Sequence, residues 1–347
     1  MKLHEMLQQD QDIWDLFTRR EEYLATTVDR YGRFPRSASI CRDISEPHAS
    51  KFLLEHGFRI EYPDEKAFAV CLTHDIDFVY KSIIKKSYAA LHHLHNAHFS
   101  ECVTSLVEMR SKKVPWWNFS EIMAIEERYD AKSSFYFMVQ DLDDQDYAYS
   151  IEDCKSVMTE ICARGWEVGL HGGHTAFNNL DEIKAKKARL EEVLGKAVVG
   201  YRNHYLRMQI PDTWEYLADA GFRYDTTLGY SDCVGFRNGM CHPFKPYNLR
   251  TGLEIGIVEI PLTVMDTTLF EFLKLDLSMA WNLTQQLIDT VERYNGVLTV
   301  LWHNTRFSGD MMRFYEKVLK YCAEKNAWMT CGADIGDWLN NGHSLQS

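Results

Sequence analysis

The sequence predicts an α/β protein in which a parallel β-sheet is covered by helices. Short apolar runs alternate with helical patterns between Phe68 and Cys331. The runs stay apolar along their length, which is typical of strands that are buried on both faces. About seven such units favour a barrel over an open sheet. The predicted strands are 68–72, 134–139, 167–170, 197–201, 257–262, 297–302 and a shorter run at 328–331.

The helical patterns between these strands end at ordinary stop signals. The pattern at 151–164 ends before Gly165, and the pattern at 180–194 ends before Gly195. Glycine is common just beyond a helix because it adopts the left-handed conformation without strain. The remaining predicted helices are 118–129, 212–220, 277–294 and 310–325.

Residues 1–66 precede this alternation and form a separate segment. Their sequence indicates short helices and irregular chain, interrupted by Pro35 and Pro47. We therefore divide the chain into an N-terminal extension of unknown role, residues 1–66, and a main α/β domain, residues 67–347.

The composition excludes several classes of protein. A net charge of -12 disfavours nucleic acid or an anionic membrane as the main partner. The nine cysteines form no CxxC pair, which predicts reduced thiols in a cytoplasmic protein and disfavours a thiolate metal site. No signal-peptide pattern and no apolar run of about 18 residues is present, so we expect no membrane span. Nothing in the sequence indicates the oligomeric state.

Reactive polar residues lie at or just beyond the ends of five predicted strands. In parallel α/β proteins the carboxyl ends of the strands share one face, and that face carries the active site. Because all five clusters fall at such ends, we expect them to meet. They are Asp75 and Asp77, His171 and His174, Arg202 and His204, Asp266, and Trp302, His303 and Asn304.

Asp75 and Asp77 are two residues apart, so a strand would point both carboxylates to the same side. Two adjacent carboxylates commonly divide their roles, with one binding a cation and the other exchanging protons. The alternative is a helix cap or a loop salt bridge. His74 precedes Asp75, and on an alternating strand its side chain points away from both aspartates, so it is expected to be structural.

Three histidines are candidates for a metal site. His171 and His174 flank two glycines that permit a tight turn, and two imidazoles at a strand end can hold a divalent ion. His204 is open to three interpretations, as a third ligand, a substrate contact or a core histidine. Four more histidines, at 92, 93, 95 and 98, are expected on a solvated helix instead.

Arg202 and His303 suit acid–base chemistry. Arg202 follows an apolar run and needs a buried partner, which would be a catalytic carboxylate or a structural one. His303 has apolar neighbours, and histidine is the usual proton carrier near neutral pH. The alternative for His303 is a core histidine bonded to the backbone. The sequence has no HExxH, GxSxG, P-loop or dinucleotide-binding motif.

Six short segments together resemble the polysaccharide deacetylases of carbohydrate esterase family 4, the NodB-homology group. In chain order they read THDID, GLH, RNHYLR, YDTTLGY, GFRNG and LWHN, which is the pattern of one branch of that group. The resemblance covers residues 67 to 340. It implies a distorted (β/α) barrel of about seven parallel strands, NodB-like, with one bound divalent metal.

The resemblance also implies roles for individual residues. Asp75 matches the general base, Arg202 the arginine that orients it, and His303 the general acid. Asp77 and His171 match two ligands of an Asp-His-His metal triad. In the family the two histidines are usually four residues apart, but position 175 is Thr175, so His174 is taken as the third ligand with His204 in reserve.

The function implied is metal-dependent removal of an N-acetyl group from a sugar or glycan precursor, in cytoplasmic surface-glycan biosynthesis. The ligand set suits zinc, and also Fe²⁺, Co²⁺, Ni²⁺ or Mn²⁺. We expect substrate contacts from His204, Tyr205, Arg237, Asp266, Trp302 and Asn304. Arg237, in the GFRNG segment, would suit a carboxylate or phosphate, and residues 235–248 a lid or substrate loop. The alternatives are an amidohydrolase acting on a non-sugar N-acyl or cyclic amide, and a catalytically silent carbohydrate-binding protein.

Overall fold

The computed structural model describes residues 2–80 and 116–339, and the account below is confined to them. A mostly parallel, curled sheet lies at the centre, with helices packed around it. Its strands are β1 (Phe68–Ile76), β2 (Ser134–Met138), β3 (Glu167–Gly172), β4 (Gly200–Asn203), β5 (Tyr224–Asp225), β8 (Val258–Glu259), β9 (Val264–Met265), β10 (Val297–Leu301) and β11 (Ala327–Thr330). A separate antiparallel hairpin joins β6 (Tyr247–Asn248) to β7 (Leu253–Glu254).

The strands of the sheet follow the order β8-β5-β4-β3-β2-β1-β10-β9, and β11 pairs with β1 beside this path. β1 is long enough for two neighbours, since Phe68–Cys71 pairs with β11 and Thr73–Ile76 with β2. The path therefore contains eight strands and the whole sheet nine, so our expectation of about seven was wrong. The additional strands, β5 and β9, have two residues each.

One short segment connects the two ends of the curled sheet. The amide of Ile260 donates to the carbonyl of Asp225 in β5, and the amide of Thr263 donates to the carbonyl of Thr299 in β10. The chain thus passes from one edge of the sheet to the other as it runs from β8 to β9. This closure is consistent with the distorted α/β barrel expected from the sequence.

The predicted helices are present, with ends shifted by a few residues. They are Phe119–Glu127, Lys155–Ala163 preceded by a 3₁₀ turn at Ile151–Cys154, Leu180–Leu194, Asp212–Asp219, Leu277–Arg293 and Gly309–Glu324. A further helix that the sequence did not predict follows β11, at Gly332–Trp338. Within residues 2–80 and 116–339, no helix is long and apolar enough to cross a membrane. The eight cysteines in this part of the chain form no disulfide. The histidines at 92, 93, 95 and 98 lie outside the described residues.

β1 shows how the sheet divides its side chains between two sides. Every residue of β1 is buried. His74 points into the helical layer, where its ring contacts the carbonyl oxygen of Trp302 at 2.7 Å and the carboxylate of Glu126 at 2.9 Å. Asp75 points to the other side of the strand, as the period of two requires. His74 is thus structural in position.

The N-terminal segment contains three short helices, Leu3–Leu7, Gln11–Thr18 and His48–Glu55, and packs directly on the main domain. Phe17 and Leu53 belong to the same continuous hydrophobic core as the sheet. Apolar burial of this kind stabilises by roughly 25 cal/mol per Å². The extension is therefore attached by a shared core and not by a linker.

A buried ionic network also joins the two parts of the chain. Glu22 of the extension lies 2.7 Å from Arg19 and 2.6 Å from Arg237. Arg19 further donates to the backbone carbonyl of Arg237, and Arg237 donates to the backbone carbonyl of Gly229.

Only 2 % of the Arg237 surface is exposed. The predicted substrate contact by Arg237 is therefore wrong, because its guanidinium is already paired inside the protein. Residues 235–242 around it are buried too, which argues against a mobile lid.

Candidate active site

The strand-end side chains converge on one side of the barrel, as the sequence predicts. Asp75 lies near the end of β1, His171 near the end of β3, and Arg202 in β4. Asp266 follows β9 directly, and His303 lies two residues beyond β10. A cavity of about 310 Å³ opens at this edge, and Asp75, Asp77, His204, Tyr205 and His303 are among the residues that line it.

Asp77, His171 and His204 form a compact cluster. One possible ligand atom from each residue lies within 4.8 Å of the other two. Nε2 of His171 is 3.3 Å from Oδ1 of Asp77, and Nε2 of His204 is 3.9 Å from the same oxygen. Ligands held about 2.1 Å from one tetrahedral zinc ion stand about 3.4 Å apart. The spacing therefore fits a single divalent ion.

The buried atoms of this cluster lack hydrogen-bond partners. Within the described residues, Oδ1 of Asp77 and Nε2 of His171 are buried and make no hydrogen bond. Leaving such atoms unpaired costs about 1–3 kcal/mol each, and more for a charged group. A cation between them would satisfy both, so the side chains present fit the metal that the resemblance implies.

Each imidazole of the cluster is oriented through its other ring nitrogen. Nδ1–H of His171 donates to the backbone carbonyl of Arg202 at 3.0 Å. Nδ1 of His204 lies 3.1 Å from the carboxylate of Asp146. Partners of this kind fix the tautomer and ring direction of a metal-binding histidine. Both rings consequently direct Nε2 toward Asp77.

Asp146 was not predicted from the sequence. It lies in the loop after β2, and the strand-end argument points to that loop. The loop contains four aspartates, at 141, 143, 144 and 146, and their spacing does not distinguish among them. Its position beside His204 becomes visible only in three dimensions.

The backbone around His204 forms an unusual turn. His204 begins a turn, His204–Leu206, in which Tyr205 has φ of 60°. This left-handed conformation is uncommon for a residue with a side chain. It stacks the Tyr205 ring on His204, with centroids 3.8 Å apart. Tyr205 also lines the cavity, in the position expected of a substrate contact.

The structure does not bring His174 into this cluster. Its ring lies 5.8 Å from that of Tyr205, edge to face, and its backbone carbonyl accepts from Arg207. Burial and the nearby Arg207 charge lower the pKa of His174. The two glycines before it do serve the close approach expected, since a Cβ on Gly172 would collide with Tyr201. The third position beside Asp77 and His171 is occupied by His204, which was the reserve candidate.

Asp75 and Arg202 form a second buried unit. Nε of Arg202 is 3.7 Å from Oδ1 of Asp75, and neither side chain is more than 4 % exposed. Arg202 also donates to the hydroxyls of Thr73, at 2.9 Å, and Thr226. Its guanidinium carbon lies 5.3 Å from the Tyr136 ring. These contacts fix the guanidinium beside Asp75, as expected of an orienting arginine.

His303 and Asp266 form a third unit at the opposite wall. Nδ1–H of His303 donates to Asp266 at 2.6 Å, and its backbone amide donates to the same carboxylate at 2.8 Å. Nε2 faces Asp77 at 3.7 Å. Asp266 is fully buried and contacts His303 instead of the cavity, so its prediction as a substrate contact is wrong. It positions the imidazole.

Electrostatics follow from these contacts. Burial opposes the charge on Asp77, but the neighbouring imidazoles of His204, His171 and His303 outweigh it and lower the pKa of Asp77. Burial likewise opposes protonation of His303, but Asp266 in particular raises the pKa of His303 to about 10. The carboxylates of Asp75 and Asp77 outweigh burial and raise the pKa of His171. In the metal-free protein these shifts favour the protonated forms of His171 and His303.

Trp302 and Asn304 do not line the cavity, and their predicted roles as substrate contacts are wrong. Trp302 is fully buried and stacks on Phe314 with centroids 5.6 Å apart. The Asn304 amide donates to the carbonyl oxygens of Phe78 and Trp116 at 2.7 and 3.0 Å. Both residues support the loop that carries His303. The sequence predicts the correct strand end for both residues, but their side chains do not face the cavity.

The N-terminal extension contributes residues that the sequence argument missed. Arg30, Tyr31 and Arg33 line the same cavity as Asp75 and His303. The Tyr31 ring stacks on Tyr205 with centroids 4.8 Å apart, and Arg33 donates to the Tyr205 carbonyl at 2.7 Å. No local pattern connects these positions to the strand ends, because the contact depends on docking of the extension.

Fold and site together define an α/β protein with a curled, mostly parallel sheet. Its strand ends converge on three groups, which are a carboxylate–imidazole cluster, an Asp–Arg pair and an Asp–His pair. The chain shares its fold with a protein described as a "putative polysaccharide deacetylase" from Mycobacterium smegmatis. The TM-score is 0.57 at 18% identity, over 83% of this chain and 96% of the other.

Two further solved structures match more weakly. The peptidoglycan deacetylase PdaC from Bacillus subtilis has a TM-score of 0.40 at 11% identity, over 81% of this chain and 94% of its own. A CE4 family pseudoenzyme from Bacillus anthracis has a TM-score of 0.40 at 13% identity, over 80% and 67%. No protein-family model matches the sequence, and a search of curated proteins finds no match.

Proposed function

We propose that this protein is a metal-dependent hydrolase that removes the acetyl group from an N-acetylated sugar or glycan precursor. The observation that carries the proposal is the arrangement at the cavity. Two buried acid–base pairs flank a cluster of three side chains with the spacing of metal ligands. A hydrolase that splits an amide needs these three parts, because water must lose a proton, the carbonyl must be polarised and the amine must gain a proton.

We assign Asp77, His171 and His204 as the metal ligands. One carboxylate and two imidazoles suit zinc first, and also Fe²⁺, Co²⁺, Ni²⁺ or Mn²⁺. A divalent ion at this position would polarise the acetyl carbonyl and make water more acidic. The unpaired buried atoms of Asp77 and His171 support the assignment.

We assign Asp75 as the general base. Its carboxylate is next to the cluster and lines the cavity, so it can accept a proton from water as the water oxygen attacks the carbonyl carbon. Arg202 keeps the carboxylate in place through Thr73 and Thr226.

We assign His303 as the general acid. Its Nδ1–H is held by Asp266, which leaves Nε2 to give a proton to the amine as the carbon–nitrogen bond breaks. The products are acetate and the free amino sugar. The proton that Asp75 removes from water is balanced by the proton that His303 donates. A high pKa for His303 keeps this proton available at neutral pH.

The resemblance in six sequence segments supports this activity, and the shared fold agrees with it. The division of the chain into an extension, 1–66, and a deacetylase-like domain, 67–347, belongs to the same proposal. So does a cytoplasmic role in surface-glycan biosynthesis, acting on a nucleotide-linked or lipid-linked sugar or a soluble oligosaccharide.

The test is acetate release from a panel of N-acetylated sugars, measured with and without a chelator and after zinc is restored. We expect release from at least one sugar, its loss on chelation, and its recovery with zinc. The Asp75→Asn protein serves as the control, because it should bind zinc and release no acetate. Stoichiometric zinc together with no release from any sugar would contradict the proposal.

A further inference from the structure

The cavity is not formed by the barrel alone. Three residues of the N-terminal extension, Arg30, Tyr31 and Arg33, line it together with the assigned base and acid. The deacetylase resemblance starts only after this extension. These residues lie outside the segments that carry the resemblance, and the chemistry they add to the pocket bears on the choice of substrate.

The loop that carries these residues is held firmly against the site. Arg33 is buried, pairs with Asp29 at 2.7 Å and donates to the backbone carbonyl of Tyr205 at 2.7 Å. Asp29 in turn accepts the backbone amides of Tyr31 and Arg33. The Tyr31 ring then continues the stack of Tyr205 on His204. The loop is thus positioned by several contacts that converge on one turn.

Arg30 differs from the other arginines of the cavity. The Arg33 guanidinium is neutralised by Asp29, and that of Arg306 pairs with Glu271. Among residues 2–80 and 116–339, no carboxylate forms an ion pair with Arg30. Its guanidinium carbon instead lies 4.7 Å from the Tyr31 ring centroid. Arg30 is exposed, so its donors remain available to a ligand in the cavity.

We infer that Arg30, held over Tyr31 at the cavity mouth, binds an anionic group of the substrate. The inference rests on the proposed deacetylation and narrows it, since the substrate is then an N-acetylated sugar that carries a carboxylate or a phosphate. Planar guanidinium donors match both groups in geometry and charge. On a chain with a net charge of -12, an unpaired cation beside the reactive groups attracts an anion to this position.

The test is equilibrium binding to the full-length, chelator-treated protein, so that the result does not depend on turnover. The probes are N-acetylglucosamine, N-acetylglucosamine 1-phosphate and N-acetylmuramic acid. We expect one or both anionic sugars to bind about 10-fold more tightly than the neutral sugar, as one charge-assisted contact supplies. Preference for the 1-phosphate indicates a phosphorylated substrate, and preference for N-acetylmuramic acid a carboxylated one.

Three variants isolate Arg30. Arg30→Ala should abolish the preference and leave binding of the neutral sugar unchanged, and Arg30→Lys should keep part of it. Arg189→Ala, which removes an exposed guanidinium far from the cavity lining, should match the wild type. Preference in the wild type should also decrease as salt is raised. Equal binding of neutral and anionic sugars, or a preference that survives Arg30→Ala, would overturn the inference.

The two proposals fail in different ways. An Arg30-dependent preference without acetate release from the zinc-loaded protein would support the anion subsite and contradict deacetylation. Acetate release at equal efficiency from neutral and anionic sugars, unchanged by Arg30→Ala, would support deacetylation and overturn the subsite.

Discussion

The carboxylate of Asp146 lies 3.1 Å from Nδ1 of His204, and Nε2 of the same ring lies 3.9 Å from Asp77. A carboxylate behind a histidine makes the ring a better ligand and keeps it in one orientation. We predict that Asp146→Asn lowers zinc affinity by about 10–100-fold, the usual effect of losing such a partner. Competition with a chromophoric chelator measures this affinity.

Asp143→Asn is the matched control for Asp146→Asn, because Asp143 is an exposed aspartate in the same loop. It should bind zinc like the wild type. Equal affinities for the two variants would mean that His204 does not depend on Asp146.

The choice between His204 and His174 can be tested by metal content. His204→Ala removes a side chain of the compact cluster, whereas His174→Ala removes one outside it. We predict that His204→Ala lowers zinc affinity by more than about 100-fold, because losing a residue that only supports a ligand costs up to that much. His174→Ala should retain one zinc per chain. Elemental analysis after dialysis measures the ratio. The reverse result would restore His174 as the ligand.

Asp75 and Asp77 should respond differently to the same substitution. Asp75 is next to Arg202, and Asp77 is next to both cluster histidines. Asp75→Asn should retain zinc and lose about 10²–10⁴-fold in kcat, the usual effect of removing a general base. Asp77→Asn should lose zinc. Metal analysis and acetate release on both proteins decide the roles, and zinc loss in Asp75→Asn would exchange them.

The pKa of His303 should depend on Asp266. Against the opposing effect of burial, Asp266 does most to raise the pKa of His303 to about 10 in the metal-free protein. Because this folded-state pKa is raised, the pair stabilises the fold fully below the unfolded value of about 6.5. That contribution is lost as pH rises through about 10.

Asp266→Asn removes the carboxylate, so we predict a lower pKa for His303 in a nitrogen-detected NMR titration of the metal-free protein. The alkaline limb of kcat/KM should also move to lower pH. Glu271→Gln, which lines the cavity beside Arg306, serves as control and should leave the titration unchanged. An unchanged titration in Asp266→Asn would show that the pair does not tune His303.

Local sequence patterns sufficed for most of the fold and for part of the site. The helix Leu180–Leu194 has the predicted ends, because a glycine stop and a helical period are both local signals. Strands β5 and β9 were missed, because Tyr224–Asp225 and Val264–Met265 are too short to show a period. Asp75 and His303 were predicted because they lie at the ends of β1 and β10, whose apolar runs are long enough to be recognised in the sequence.

The remaining site residues depend on contacts that a local pattern does not contain. His204 lies beside Asp77 in a turn whose left-handed conformation at Tyr205 is not evident from the sequence. Arg237 was misassigned because its partner, Glu22, lies 215 positions earlier in the chain. The approach of Arg30 to the cavity depends on the same long-range docking.

The Glu22 network should be a large contributor to stability. Glu22 lies between Arg19 and Arg237, and none of the three side chains is more than 5 % exposed. Although burial opposes its charge, Arg237 and Arg19 lower the pKa of Glu22. Glu22→Gln leaves two buried guanidiniums with less compensation, so we predict a loss of about 3–5 kcal/mol in the free energy of unfolding. Urea denaturation measures the loss, with exposed Glu55→Gln as the control.

Because a lowered pKa stabilises the fold fully only above the unfolded value, the difference between wild type and Glu22→Gln should shrink as pH falls below about 4.5. A loss under about 1 kcal/mol at neutral pH would contradict this prediction, because the network would then contribute no more than an exposed ion pair does.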